Sequence, residues 1–328
     1  MGCASRVTLL PEYLLLVPSI DVVIVAFNRW DLTELCLGHL RKQTISHSII
    51  VVDNGSTDET SANLHASHPD VRALQLVANG GFPAACNAGV ALGRGDFVVL
   101  LNNDVEPRPD FLEKLVRPLE EDARVGSAAA LLVQPGERQI DCMGLTADST
   151  LAGFPRLRGS PSELAGAPRP VLAGPCGGGA AYRREAWEEV GGLDEGVLFY
   201  GEDLDLALRI RIAGWKSVAV PEAVAVHLGS ATLGRRSTWQ RYQSGFSRGY
   251  FLRRYGVLRS RTAPRALATE AVVVAGDAVL GRDLSALRGR LAGWRAAKDA
   301  SPAPHPPDDA IDTTIGLLES FRLRRAVY

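Results

Sequence analysis

The stretch DVVIVAFNRWDLTELCLGHLRKQTISHSIIVVDNGSTD, Asp21 to Asp58, decides the fold. Its first seven residues, Asp21–Phe27, form an apolar run too short for a helix. Such a run reads as a strand buried on both faces. Asp31 then stands where a helix cap is wanted, for a helix reaching about Lys42. Ser48–Asp53 (SIIVVD) is a second buried-type strand, and Asn54-Gly55-Ser56 is a turn from which Thr57 or Asp58 opens another helix. The alternation continues outward: a strand over Val71–Val77, a helix over Gly81–Leu92, a strand over Asp96–Leu101 and a helix over Pro109–Glu121. Strands of this kind joined through helices predict an α/β fold, a mostly parallel Rossmann-like sheet flanked by helices.

The pattern breaks from Gln134 to Pro175, where Gly and Pro are frequent; loops and short strands covering the mouth of the sheet are expected there. Order returns with Gly177–Arg183 and a short helix to Val190. A stronger helix follows over Glu202–Ala213, with acids at its start and Arg209 and Arg211 towards its end. Lys216–Val220 and Ala223–His227 read as strands, and helices are expected beyond Arg235. Ser301–Pro307 reads as a linker. A last helix is predicted over about Asp309–Arg325, carrying Ile311, Ile315, Leu318 and Phe321 at helical spacing.

The chain has 328 residues, 46% hydrophobic and 22% charged, which excludes a disordered, collagenous or coiled-coil protein. A net charge of −1 argues against a nucleic-acid binder. Five widely spaced cysteines (Cys3, Cys36, Cys86, Cys142, Cys176) without a CxxC read as free thiols in a reducing compartment. The most apolar stretch, Leu9–Phe27, is interrupted by Glu12, Pro18, Ser19 and Asp21, and no basic region precedes it. Met1-Gly2 suggests myristoylation, but Arg6 departs from that motif. The expectation is a cytoplasmic protein that can lie peripherally on the inner face of the plasma membrane. Charge placement adds to this. Arg235–Lys298 holds fourteen Lys/Arg against three acids, a local charge of +11. This is either a solvated helical face or a basic surface for anionic lipid.

Open parallel sheets bind ligands at the carboxyl ends of their strands. Four such ends are polar here: Phe27-Asn28-Arg29, Asp53-Asn54-Gly55-Ser56, Asn79-Gly80-Gly81 and Asn102-Asn103-Asp104. Asn, Asp and Gly also make turns, but four such ends in register point to one polar rim. Neither GxGxxG nor GxxxxGK[ST] occurs, so phosphates must be neutralised differently. A divalent cation, Mg2+ or Mn2+, held by Asp104 is the natural candidate. A second cluster is Tyr200-Gly201-Glu202-Asp203-Leu204-Asp205, whose Glu202 and Asp203 open a helix. The helix dipole there favours ionised carboxylates and a low pKa. Asp205 reads as structural, paired with Arg209 four residues on. His227 ends a strand and is a further ligand candidate.

Together DVVIVAFNRWDLTELCLGHL, IIVVDNGSTDET, NGGFPAACNAGV, DFVVLLNNDVEPRPDFL and the stretch from GGGAAYRREAW through FYGEDLDLALRIRIAGW to His227 resemble the family 2 inverting glycosyltransferases of GT-A fold. The similarity is greatest to their rhamnosyltransferase-like branch. It runs from about Ser19 to Ser230 and implies a GT-A domain over 1–232, with nucleotide-sugar binding in about 19–133 and acceptor and catalytic parts in about 134–232. A basic helical extension would occupy 233–328. The resemblance also implies residue roles. Asp53 would contact the nucleotide base, Phe27 and Arg29 would close over the nucleotide, and Asn79 and Asn87 would be polar donor-site positions. Asn102-Asn103-Asp104 occupies the metal-binding DxD position, with Asn102 in place of the first acid. Metal contact is then expected from Asp104 and His227, with Asn102 and Asn103 on ribose, water or phosphate. Asp203 matches the catalytic base, and Glu202 lies on the acceptor side. Arg235 and Arg236 would either clamp the diphosphate or begin the basic surface. The implied activity is metal-dependent sugar transfer from a nucleotide-diphosphate donor, dTDP-rhamnose first, to a glycan or lipid-linked acceptor of the bacterial cell surface. A nucleotidyltransferase of similar layout and a catalytically inactive sugar or lipid-phosphate binder are the alternatives.

Overall fold

The computed structural model describes residues 19–197, 199–229 and 237–327. Its strands are β1 Ile20–Ala26, β2 Ser48–Asp53, β3 Arg72–Gln75, β4 Phe97–Asn102, β5 Val105–Pro107, β6 Val125–Val133, β7 Ile140–Cys142, β8 Leu145–Ala147, β9 Gly153–Pro155, β10 Gly179–Arg183 and β11 Lys216–His227. The helices are α1 Trp30–Leu40, α2 Thr60–Ser67, α3 Phe82–Leu92, α4 Phe111–Glu121, α5 Arg184–Glu189, α6 Glu202–Ile212, α7 Thr238–Arg254, α8 Ala263–Leu280, α9 Ser285–Ala296 and α10 Leu317–Val327.

One sheet runs β3-β2-β1-β4-β10-β6-β11-β5, with β7 on β6; β8 and β9 form a separate hairpin. The first four strands are parallel, whereas β10 pairs antiparallel with both β4 and β6. Register places the site. Ala26 faces Asp53 and Val25 faces Asn102, so the three chains leave the sheet side by side. The apolar β1 is buried almost throughout. Its Val22, Ile24 and Ala26 share one buried cluster with α1 and α4, whose Leu37, Leu40, Phe111, Leu112 and Leu115 are buried. Each such side chain contributes about 1.5–3 kcal/mol on burial. On the other face α3 approaches so closely that a Cβ on Gly89 would sit 2.5 Å from Val23 and 2.9 Å from Val52.

Several boundaries differ from expectation. α1 is not capped by Asp31. Arg29 occupies its N-cap in the left-handed region, and Asp31 instead holds the Arg29 guanidinium at 2.8–2.9 Å. α2 starts at Thr60, whose N–H donates to Asp58 Oδ1 at 3.0 Å. β3 is only four residues long, an exposed edge. The two strands expected before His227 are one, β11, with a register shift between Val220 and Val224. The last helix begins at Leu317. Ile311 and Ile315 are buried, but in irregular chain, because Asp312 accepts the N–H groups of Val171 (2.7 Å) and Thr314 (2.9 Å). Such local bonds compete with helix.

The C-terminal helices pack tightly on the rest. Phe251, Leu252 and Tyr255 of α7 share one apolar cluster with Leu145, Leu204 and Leu208. Within the extension, Gly245 and Gly249 of α7 meet the backbone of α9, and Gly289 and Gly293 of α9 meet the backbone of α7; a Cβ at any of the four would collide with a carbonyl oxygen or its neighbours. The +11 segment is therefore not simply a basic surface. Arg248 and Arg290 bind Glu270, Arg254 binds Asp194, and Arg265 lies 3.4 Å from Asp148.

Candidate active site

The exits of β1 and β2 are knitted together. Asn28 and Arg29 both have positive φ, 54° and 56°. Two consecutive non-glycine residues in this region are costly and mark a constrained turn. The turn is held by Asn28 N–H donating to Ser56 Oγ (2.8 Å) and by Asn28 Oδ1 accepting the Thr57 N–H (2.8 Å). Asp53 is buried; its Oδ1 accepts the Ser56 N–H at 2.9 Å. Its Oδ2 is buried with no hydrogen-bond partner among the described residues. A buried acceptor of this kind calls for a donor. Asn54, named in the polar strand end but given no role of its own, donates to Asn79 Oδ1 (3.1 Å) and accepts the Gly80 N–H (3.1 Å), so it fixes the β3 exit against β2. Phe27 is half-buried beside this rim.

At the β4 exit, Asn102 N–H donates to the Gly178 carbonyl (3.3 Å) and Asn103 Nδ2 donates to Thr33 Oγ1 (3.1 Å). Asp104 faces His227 Nε2 at 3.3 Å, although the two are more than a hundred residues apart. Asp141, at the middle of β7, contacts His227 Nδ1 at 2.7 Å and Arg158 at 3.1 Å. Sequence reading missed Asp141; it lies in the aperiodic stretch and carries no local signal. Burial disfavours a charged His227 imidazole, but the hydrogen bonds to Asp104 and Asp141 outweigh it and lift the pKa to about 10. Among the described residues no group of three His, Cys, Asp or Glu side chains forms a ready-made metal cluster. The donor chemistry nevertheless fits a hard divalent cation: a carboxylate beside an imidazole whose other nitrogen is oriented by a second carboxylate.

Glu202 and Asp203 open α6 after Tyr200 (φ 64°) and Gly201 (φ 140°). A Cβ on Gly201 would also lie 3.3 Å from Ser247. Glu202 Oε2 accepts the Gly201 N–H (2.9 Å). Asp203 Oδ1 accepts the Leu204 N–H (2.8 Å), and its Oδ2 accepts the Gly177 N–H at 3.4 Å. The low pKa expected from the helix dipole does not survive. Burial raises both groups despite backbone hydrogen bonds, and the Asp203 charge raises Glu202 further. Gly178 binds Asn102, and Gly177 binds Asp203, so two consecutive residues join the polar rim at the strand ends to the acidic pair. Asp205 is structural as expected, bound by Arg209 (2.6 Å) and Tyr255 (2.8 Å).

Asn87 is separate from the rim: its amide bonds Leu193 through both N–H and C=O and donates to Glu195, tying α3 to the loop after α5. Arg235 and Arg236, and the expected boundary at 232/233, lie outside the described residues.

Residues 21–191 match the Glycosyl transferase family 2 description. The chain belongs to glycosyl transferase family 2. A curated relative in the family, the N-acetylglucosaminyl-diphospho-decaprenol L-rhamnosyltransferase of Mycobacterium tuberculosis, is 33% identical over 218 residues, 57% of this chain and 68% of the relative. The GT-A fold is shared with the mannosyltransferase PcManGT from Pyrobaculum calidifontis, solved with GDP-Man and Mn2+ (TM-score 0.53, 21% identity, 95% of this chain and 81% of that one). It is also shared with GalNAc-T7, solved with UDP, GalNAc and Mn2+ (TM-score 0.57, 17% identity, 73% and 48%). The family 2 match covers the rim and Gly177, whereas α6 and His227 lie beyond its end.

Proposed function

We propose that this glycosyltransferase moves a sugar, with inversion, from a nucleoside diphosphate donor to a hydroxyl of a glycan or lipid-linked glycan acceptor. The observation that carries the reading is the placement of Asp203: one backbone step from the Asn102 rim, partly buried, with its pKa raised by burial. A base works best when its pKa approaches the working pH, so burial suits Asp203 to accept the acceptor's proton. Glu202 stands beside it on the acceptor side.

On the donor side, Asp53 Oδ2 offers its unused acceptor to a base N–H, and Phe27 and Arg29 flank the base and ribose on the constrained turn. Asn79, Asn102 and Asn103 supply neutral polar contacts. Asp104 and His227 would hold Mg2+ or Mn2+, with Asp141 orienting His227. Such a cation, when bound, acts as a Lewis acid on the departing diphosphate. Mn2+ in both structural neighbours supports this assignment. dTDP-rhamnose is the first donor to test, because the curated relative is an L-rhamnosyltransferase. Among the described residues no helix is long and apolar enough to cross a membrane. We place the enzyme at the inner face of the plasma membrane, held peripherally, since the relative's name carries a lipid-linked sugar.

The deciding experiment separates turnover from donor affinity in Asp203→Asn and Glu202→Gln. Asp203→Asn should lose about 100- to 10,000-fold in turnover while donor binding persists. The acidic limb of the wild-type pH profile should lie above the ordinary Asp value of about 3.9. Near-normal turnover in Asp203→Asn, with collapse in Glu202→Gln, would move the base to Glu202.

A further inference from the structure

Asp203 also borders a cavity of about 750 Å³ that none of the rim residues lines. This is within the ~300–1,000 Å³ typical of small-ligand sites. It is walled by the catalytic part and the extension together: Phe154 of β9, Leu204 of α6, Phe251 of α7, Val273 of α8 and Phe321 of α10. Asp203 lines it. So does Val272, which is also 56% exposed, and the exposed Val279 lies on the same side of α8 two turns on, so the cavity opens beside an exposed apolar face of that helix. Arg241 lines the cavity too. It donates from Nη1 to Asp283 at 3.1 Å and interacts electrostatically with Asp277, also in the wall; no further hydrogen bond engages its Nε or Nη2 among the described residues. Gly276 of α8 faces the same space, and a Cβ there would meet nothing within 4 Å.

An apolar chamber open to an exposed apolar helix face, with unused guanidinium donors and a candidate base in its wall, suits one kind of molecule. That molecule is an amphiphile with a long apolar chain, an anionic phosphate head and a hydroxyl to be glycosylated. We propose that this cavity is the lipid subsite of the acceptor: the apolar chain lies between the β8–β9 hairpin, α7, α8 and α10, and its phosphate or diphosphate meets Arg241. This rests on the reading of Asp203 as the base on the acceptor side. It gives the C-terminal extension a substrate-binding role beyond any attachment to a surface.

The test is direct binding without divalent cation, so that the donor site cannot hold the probe's diphosphate. Farnesyl diphosphate and inorganic pyrophosphate are titrated calorimetrically into the full chain, wild type, Gly276→Leu and Arg241→Gln. Leu at Gly276 fills the open space and replaces a helical glycine by a better helix former, so melting should not fall. Wild type should bind farnesyl diphosphate at least about tenfold tighter than pyrophosphate, and each variant should lose at least about tenfold in affinity for farnesyl diphosphate. Equal affinity for the two probes reduces the site to an anion contact and overturns the proposal. So does unchanged farnesyl diphosphate binding in both variants, or no binding by wild type. A parallel titration of wild type with nucleoside diphosphates and Mn2+ tests the donor reading by itself. Failure there with farnesyl diphosphate binding intact would leave the lipid subsite standing.

Discussion

At the scale of single residues, burial and neighbours have shifted the groups proposed for the site. His227 stands between Asp104 and Asp141, and that pair of carboxylates holds it far above the ordinary imidazole range. Asp141 touches no expected substrate position; it orients the ring of a candidate ligand. Replacing such an orienting carboxylate typically costs about 10–100-fold in metal affinity. Asp141→Asn should therefore weaken Mn2+ binding by about that factor and leave metal-free nucleotide affinity in place, as calorimetry would read. Unchanged Mn2+ affinity would remove Asp141 from the site. Legibility differs residue by residue. Asp53, Asp104 and Asp203 stand out in the sequence as candidates because they end a strand, follow one and open a helix, respectively. Asp141 does not, because its role exists only once β7 has paired with β6.

At the scale of elements, the extension is held by a buried charge cluster. Glu270 of α8 binds Arg248 of α7 (2.7 Å), Arg290 of α9 (2.7 Å) and Arg324 of α10 (3.2 Å). Burial would raise its pKa, but the charges of Arg248, Arg324 and Arg290 outweigh this and pull it down to about 2. A depressed carboxylate stabilises the fold fully above its unfolded value, and the contribution is lost as pH falls towards the folded value. The window here runs from about 4.5 down to about 2, and the contribution is about 3 kcal/mol. Urea unfolding at about pH 6 and about pH 3 should show wild type losing more stability on acidification than Glu270→Gln. At the higher pH the variant should be weaker by about 3–5 kcal/mol, since it leaves three guanidinium groups without their carboxylate. An equal loss in both proteins would mean that Glu270 does not carry the dependence. Sequence reading saw the arginines of this segment as surface charge; only the helix packing shows that several face inward.

At the scale of the whole molecule, the outer side of α9 presents exposed basic residues in register with exposed apolar ones. Gly289 and Gly293 turn one side of α9 onto α7, which leaves Arg288, Leu291 and Arg295 on the other, in line with Leu284 before the helix and Lys298 after it. A stripe of alternating cations and large apolar side chains suits the surface of an anionic bilayer. The full chain should bind anionic vesicles at low salt, and Arg288→Gln, Arg295→Gln and Lys298→Gln should each weaken binding by about 1 kcal/mol, roughly fivefold. Vesicle binding by the triple variant equal to wild type would exclude this face. Deleting the extension is a poor test, because it would uncover Leu204 and Leu208 of the shared core.

The amino-acid sequence alone determined the strand-helix order of the first 130 residues apart from the short β5, the polar strand ends and the start of α6. Each depends on local patterns: short apolar runs, turn residues and acids at a helix N-terminus. The tertiary structure decided what depends on residues distant in the chain. It set the antiparallel insertion of β10 between β4 and β6, the meeting of Asp104 with His227 and Asp141, and the loss of Asn87 to the loop after α5. It also set the raised pKa of Asp203, since the dipole of α6 is local but the burial that overrides it depends on packing against distant segments, Gly177 among them. Periodicity within a segment reports which face is apolar; it does not report which distant segment will cover that face.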